Sequence, residues 1–346
     1  MTISEQMNSY SLVADIGGTK SELALFAQKK DVRKFLLKER FVTGAYESLE
    51  SLISHFLKEY ELKIEAAVLA IAGPVINGRV TLFSSNLPWE VDEASLREEL
   101  QIPDIELIND LRAVAGVLAH LQKEDLYTIN KGVEKAHETL AVIAPGTGLG
   151  EAFLIWDGEG YKPCISEGAH VNFGPRTDQE IELLKHMKKS QDHVTYESVC
   201  SGLGIPSIYE YLLTTSVKNE DSVISNELGD DFDLTRAIIK KAGQKEESGG
   251  PANEVLRLFA SILGAEAGNL VLKTMATGGL FLAGGIPPRI IPYLDSRAFL
   301  DSFLDKGVMA EMMPDIPIHI ITNPDTVIIG AAAHLFNKRK NHEIIP

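Results

Sequence analysis

Residues 12–26 read LVADIGGTKSELALF. An apolar run meets Asp15, then Gly17, Gly18 and Thr19, and the apolar pattern resumes at Leu23 through Phe26. A strand built only for a core has no use for a carboxylate and two glycines at its middle. The stretch therefore reads as strand, tight turn, strand. Glycine permits the sharp reversal and lets another group approach the backbone without meeting a Cβ. Successive N–H groups in such a turn form a concave site for an anion. Two common nucleotide signatures are excluded by spacing. GGTKSE lacks the third glycine of a G-x-G-x-x-G fingerprint, and no G-x-x-x-x-G-K-S/T string occurs in the chain.

The pattern recurs. LAVIAPGTGLGEAFLIW at 140–156 repeats strand, glycine turn and strand, and Gly284-Gly285 follow a further short strand in GGLFLAGGIPPRI. A duplicated unit of this kind predicts two similar α/β domains facing each other across a cleft. Only the first copy carries an acid, Asp15, beside its turn. One Gly-Gly hairpin alone is structural more often than functional. Three glycine turns, DIGGT, PGTGLG and AGG, each closing a predicted strand, suit the oxygens of a polyphosphate.

Apolar runs at Ser11–Ala14, Ala66–Ile71, Ile105–Ile108, Leu140–Ala144, Phe281–Ala283 and Pro317–Ile321 read as strands that alternate with helical patterns, an α/β arrangement. Leu49, Leu52, Ile53, Phe56 and Leu57 mark one face of a helix, and Asp92 reads as the N-cap of a second. A third is predicted over 252–275, with Val255, Leu258, Phe259, Ile262 and Asn269–Leu270 to one side. Its Gly264 and Gly268 predict a closely packed neighbour. The charged, glycine-rich stretch from Lys218 to Pro251 reads as a solvated helical excursion.

At 346 residues the chain has room for about two domains. A net charge of −16 argues against nucleic-acid and anionic-membrane partners, which need clustered Lys and Arg. An anionic substrate would have to be held by backbone amides and a metal ion. The amino terminus lacks a basic segment followed by an apolar one, and no unbroken apolar run reaches about 18 residues, so neither a signal peptide nor a spanning helix is expected. Cys164 and Cys200 fit a reducing compartment, and the cytoplasm is the expected location. No CxxC pair suggests zinc.

The three glycine turns resemble the two phosphate loops and the adenosine-side loop of the actin-like ATPase superfamily, which includes hexokinases. AIAGPVINGRVTLFSSNLPWEVD (70–92), ELINDLRAVAGVL (106–118), ISEGAHVNFGPR (165–176) and VTYESVCSGLGIPSIYEYL (194–212) narrow the resemblance to bacterial-type glucokinases of the ATP-dependent branch. It extends from about residue 11 to residue 336 with the motifs in order. It implies two ribonuclease-H-like (actin-like ATPase) α/β domains around a central cleft. The small one would comprise 1–120 plus 327–346, and the large one 121–326.

The resemblance also implies roles. Asp110 matches the general base that takes the proton of the sugar 6-hydroxyl. An ordinary pKa of about 4 would suffice there, because a loose transition state releases the proton late. Asn86, Asn109, Glu167, His170 and Glu197 match sugar ligands. Taken alone, Asn109-Asp110 reads as a helix cap, and Glu167 and His170 as surface or capping residues. Gly17, Gly18 and Thr19 would cradle the transferred phosphate, Gly146, Thr147 and Gly148 the remaining phosphates, and Gly284 and Gly285 the nucleoside. Asp15 would stand near the Mg²⁺ that ATP carries and meet it through water, since Mg²⁺ keeps much of its hydration shell. No metal bound by the protein alone is expected: His170 has no second His or Cys at ligand spacing, and the zinc-binding cysteine cluster of the related repressor–kinase sugar kinases is absent. A homodimer is implied in the same way. The family often reads GGTN where this chain has Lys20; that side chain would face solvent or add charge near the γ-phosphate. Three rivals remain at this stage: a kinase for another hexose or an amino sugar, an actin-like or chaperone-like ATPase, and a sugar-sensing regulator.

Overall fold

A computed structural model of the chain describes residues 9–27, 31–60, 62–81, 87–215, 233–243 and 250–343. The chain divides into two compact units, Met1–Gln122 with Asn323–Pro346, and Lys123–Thr322.

In the first unit, β1 (Ser9–Ile16), β2 (Lys20–Ala27), β3 (Leu37–Val42), β4 (Lys63–Ile71) and β7 (Asp104–Asn109) form one sheet in the order β3-β2-β1-β4-β7. A short pair, β5 (Arg79–Val80) and β6 (Val91–Asp92), stands apart from it. β1 to β3 form an antiparallel meander, while β4 and β7 run parallel to β1. In the second unit the strands are β8 (Leu126–Asn130), β9 (Leu140–Pro145), β10 (Leu149–Trp156), β11 (Tyr161–Ser166), β12 (Gly279–Leu282) and β13 (Ile318–Ile321), in the order β11-β10-β9-β12-β13-β8. With β8 at the edge set aside, order and directions match those of the first sheet. The glycine hairpin occupies the same place in each copy, between the first two strands of the meander.

The first sheet is covered on both faces, which is why its central strands are apolar almost without alternation. Leu12, Ala14 and Ile16 join a core with Leu49, Leu52, Ile53 and Phe56 of α1 (Leu49–Leu57), and with Leu96 of α2 (Glu93–Leu100). Ser48 and Ser51 form a reciprocal capping box on α1, and Asp92 caps α2 by accepting from the N–H groups of Ala94 and Ser95. The opposite face is covered by α3 (Asp110–Val117) and α11 (Thr326–Glu343), which pack on each other. They pack closely because Gly330 lies directly on the Ala113 carbonyl.

The second unit adds α4 (Asp178–Met187), α5 (Tyr196–Val199), α6 (Gly204–Thr215), α7 (Leu234–Ala242), α8 (Pro251–Thr274), α9 (Ile291–Leu294) and α10 (Arg297–Leu304). α8 is buried nearly all round rather than along the single face its periodicity suggested, because α5, α6, α7, α9 and α10 all contact it. Its Gly264 and Gly268 admit the backbone of Phe299 and Phe303 on α10. α8 is long and apolar enough, by composition, to cross a membrane, with a mean hydropathy of 1.5 over its most apolar window. Polar groups such as Glu266 interrupt its apolar run, which a mean hydropathy tolerates. Yet 78% of that window is buried inside the protein, as a core helix would be. Of the predicted excursion from Lys218 to Pro251, residues 218–232 and 244–249 lie outside the described residues. What is described between them is α7, capped by Asp233.

The α3–α11 crossing gives a paired test. A Cβ at Gly330 would land on the Ala113 carbonyl, whereas one at Gly116 would stand 3.8 Å from the Gly330 oxygen, an ordinary contact. Gly330→Ala should destabilise the protein by about 1–3 kcal/mol through overpacking. Gly116→Ala should be neutral or stabilising by up to about 1 kcal/mol through helix propensity. Urea midpoints of the two variants check this.

Candidate active site

β1 ends in the first unit at a turn in which the Gly17 N–H donates to the Lys20 carbonyl at 3.1 Å. A Cβ at Gly17 would press on that same carbonyl. Thr19 and Lys20 are exposed, and Gly17 and Gly18 are half-buried. Thr43, which follows β3, reaches across to this turn. Its Oγ1 donates to the Gly17 carbonyl at 2.7 Å and its N–H to the Thr19 carbonyl at 3.1 Å.

Asp15 lies level with Glu22 on β2, and Glu22 with Arg40 on β3. Arg40 forms an ion pair with Glu22. Burial, followed by the negative charges of Asp110 and Glu22, raises the Asp15 carboxyl to about 7, and Arg40 offsets only part of this. Asp110 opens α3 just past the end of β7. Burial lifts it to about 6, against the N–H of Leu111, which donates to its Oδ1 at 2.8 Å. The ordinary value near 4 expected from sequence is therefore corrected upward: burial removes water that would otherwise stabilise the charge.

Asn109 is the N-cap of α3. Its Oδ1 accepts from the N–H groups of Leu111 (2.9 Å) and Arg112 (3.3 Å), and its Nδ2 donates to the Gly73 carbonyl at 3.0 Å. That leaves one amide hydrogen, so toward a ligand Asn109 is suited to donate. Asn86 lies outside the described residues.

The second unit gathers the remaining candidates. Gly146 N–H donates to the Gly148 carbonyl at 2.8 Å, and the turn is backed by residues 201–204: the N–H groups of Gly202 and Leu203 donate to the carbonyls of Gly146 (2.8 Å) and Thr147 (3.3 Å). Gly284, at φ +84°, sits against the Pro145 carbonyl, and Ile286 N–H donates to the same oxygen. Thus Gly146, Thr147 and Gly148 are neighbours of Gly284 and Gly285, and Thr147, Gly284 and Gly285 are exposed.

Glu197 sits in the first turn of α5, which Thr195 and Ser198 cap reciprocally. Its Oε2 accepts from Leu149 N–H at 2.9 Å, and Gly148 leaves no room there for a Cβ. Its other oxygen lies 3.9 Å from His170 Nδ1, and Glu167 Oε2 lies 3.6 Å from His170 Nε2. These separations exceed hydrogen-bond length, so the three side chains keep donor and acceptor capacity for a third party. The segment after His170 is tied to α5 by Phe173 N–H to the Val194 carbonyl and Tyr196 N–H to the Val171 carbonyl. Glu167 and His170 are exposed, and Glu197 is half-buried.

Sequence reasoning missed several supporting residues. Thr43 and its hydroxyl neighbour Ser21 carried no signal, since they are 22 residues apart and ordinary in type. Glu151 did carry one: a charge inside the apolar strand GEAFLIW. It is buried beneath Gly168, so that a Cβ there would strike its Oε2. Its Oε1 has no hydrogen-bond partner among the described residues. Burial and the nearby Glu266 charge push Glu151 up to about 7, opposed by Lys273.

Residues 12–338 match the family model for glucokinase. The chain belongs to the glucokinase family. A glucokinase of Trichormus variabilis is 37% identical over 341 residues, covering 93% of this chain and 97% of the relative. One of Yersinia pestis is 31% identical, covering 96% and 98%. A glucokinase crystal structure from an Antarctic psychrotroph superposes with a TM-score of 0.77 at 31% identity, covering 95% of this chain and 99% of that one. A glucokinase of the ROK family from Streptomyces griseus, solved with glucose and AMPPNP, has a TM-score of 0.65 at 18% identity, a likeness of fold. The fold is that of the actin-like ATPases, and as a member of the glucokinase family the chain is an ATP-dependent glucose kinase, a transferase.

Glu151 supplies a stability test for this glucokinase. Its folded pKa lies above the ordinary 4.5, so the folded state holds the proton more tightly than the unfolded one. Stability is then lost as pH rises from about 4.5 to about 7, on the order of 3 kcal/mol in all. Glu151→Gln removes the titration. It should unfold at higher urea than the parent at pH 8, and the difference should vanish near pH 4.5.

Proposed function

We propose that Asp110 is the general base of the glucose kinase reaction. The observation that carries this reading is a half-buried carboxyl near pKa 6, fixed at the start of α3 and sharing its end of the sheet with Asp15. A base poised near neutrality is well matched to accept an alcohol proton. Asp110 takes the proton of the sugar 6-hydroxyl as that oxygen attacks the γ-phosphorus. The new oxygen–phosphorus bond forms as the bridge to ADP breaks, giving glucose 6-phosphate and ADP.

The other roles follow from donor and acceptor chemistry. Sugar hydroxyls donate readily, and Glu167, Glu197 and His170 offer acceptors, with the remaining Asn109 N–H a donor. Asn86 is assigned to the sugar by resemblance alone. The main-chain amides of Gly18 and Thr19 hold the transferred phosphate, and those of Thr147 and Gly148 the others, while the N–H groups of Gly17 and Gly146 close the two turns that cradle them. Gly284 and Gly285 flank the nucleoside, where the lack of side chains admits a flat group.

Mg²⁺ suits the Asp15 neighbourhood. Hard carboxylate oxygens accumulate negative charge there: after burial, the charges of Asp110 and Glu22 are what raise the Asp15 carboxyl. Asp15 would hold it through water, and when bound Mg²⁺ neutralises phosphate charge during transfer. Lys20, exposed at the start of β2, is assigned to solvent. The resemblance that suggests these roles also implies a homodimer in the cytoplasm, which sedimentation and cell fractionation check.

The sign of the pH dependence follows from the raised pKa. Protonated Asp110 cannot accept, so kcat/KM should rise about tenfold per pH unit up to about 6 and level off above it. Asp110→Asn should lower kcat at least a hundredfold while glucose still binds. Near-normal turnover would remove Asp110 from the mechanism.

Glu167→Gln should mainly raise the glucose KM and leave that for ATP unchanged. The measurement is a coupled assay over a panel of sugars, with ATP, ADP and polyphosphate as donors in turn. A tenfold preference for mannose or N-acetylglucosamine in kcat/KM would overturn glucose as the substrate.

A further inference from the structure

We infer that Thr43 is a positioning residue for the phosphate turn, acting through a hydroxyl relay that runs from Ser21 to Thr43 to the Gly17 carbonyl. The inference rests on the assignment of Gly17, Gly18 and Thr19 to the transferred phosphate.

The direction of the relay follows from counting hydrogens. A threonine hydroxyl has one hydrogen. Thr43 Oγ1 gives it to the Gly17 carbonyl at 2.7 Å. The 2.9 Å bond between Ser21 and Thr43 must therefore be donated by Ser21. Both hydroxyl residues are fully buried, so neither can exchange this partner for water without opening the turn. Thr43 uses its backbone as well, its N–H holding the Thr19 carbonyl.

The consequence for the turn comes from peptide geometry. The C=O and N–H of one trans peptide point in opposite directions within a rigid plane. Holding the Gly17 carbonyl toward Thr43 turns the Gly18 N–H to the other side. Two glycines in succession have little stiffness of their own, since glycine populates many backbone conformations. Without the relay the Gly17–Gly18 peptide is free to flip and to present a carbonyl where the reading needs an amide. Thr43 thus supplies the pre-organisation that glycine cannot, so that the amide is aligned before charge arrives.

The test uses the full chain and steady-state kinetics in both substrates. Thr43→Val keeps shape and removes the hydroxyl. It should raise the ATP KM and lower kcat, each about tenfold, as for loss of one buried hydrogen bond, with the glucose KM within about twofold of the parent. Thr43→Ser restores the hydroxyl and should return both constants to within about threefold. Ser21→Ala should shift the ATP KM in the same direction by a smaller factor, and it carries the test should Thr43→Val not fold.

Thermal unfolding of each variant is recorded alongside. A lowered Tm with an unchanged ATP KM means a purely structural bond and overturns the proposal. Gly18→Ala separates this failure from that of the underlying assignment. If Gly18→Ala leaves the ATP KM unchanged, the turn does not hold the nucleotide. If Gly18→Ala raises it and Thr43→Val does not, the turn stands and the relay falls.

Discussion

Two carboxyls that repel each other are held at the same end of one sheet by the backbone hydrogen bonds of three parallel strands. The register sets Asp15 level with Ala70 and Ile71 level with Asn109, so β1, β4 and β7 end together and Asp110 opens its helix there. The repulsion is visible in the raised pKa of Asp15, to which Asp110 contributes. A sheet covered by helices on both faces can sustain such a conflict because its many apolar contacts outweigh it. Slippage of β1 by one residue would turn Asp15 to the opposite face and move Leu12 from the α1 side of the sheet to the α11 side, where the packing is built for other residues. Positioning of the acid and packing of the hydrophobic core are thus one constraint.

In the second unit a single carboxyl joins two loops. Glu197 accepts from the amide that follows the glycine turn and stands beside His170 in the loop assigned to sugar. A Cβ at Gly148 would push that carboxyl from its place. Gly168 repeats the arrangement against Glu151. Glycines that look like flexibility in sequence are, at these two positions, room made for acids.

Fold class was legible because duplication leaves a mark at every level. LVADIGGTKSELALF and LAVIAPGTGLGEAFLIW share a pattern, and the two sheets share an order of strands. Short-range chemistry was legible too, as in the cap at Asp92 and the close helix at Gly264 and Gly268. What could not be read was anything fixed by tertiary burial. The lift of Asp110 depends on removal of water by residues distant in sequence. The bracing of Gly17 depends on a threonine 26 positions away whose type is unremarkable. Asn109 shows the limit from the other side. Its cap reading and its ligand reading are compatible, because the carbonyl and one N–H do the first and leave the other N–H for the second.

The last helix closes a loop in the topology. α11 follows the second unit in the chain but packs on α3 in the first. During synthesis on the ribosome the first sheet therefore emerges with one face incompletely covered, and it stays so while about 200 intervening residues are translated and begin to fold. The second unit, contiguous in sequence, is free to finish first. Vectorial production thus inverts the order of maturation, and a nascent chain leaves the apolar face beneath α11 uncovered until α11 itself has been made.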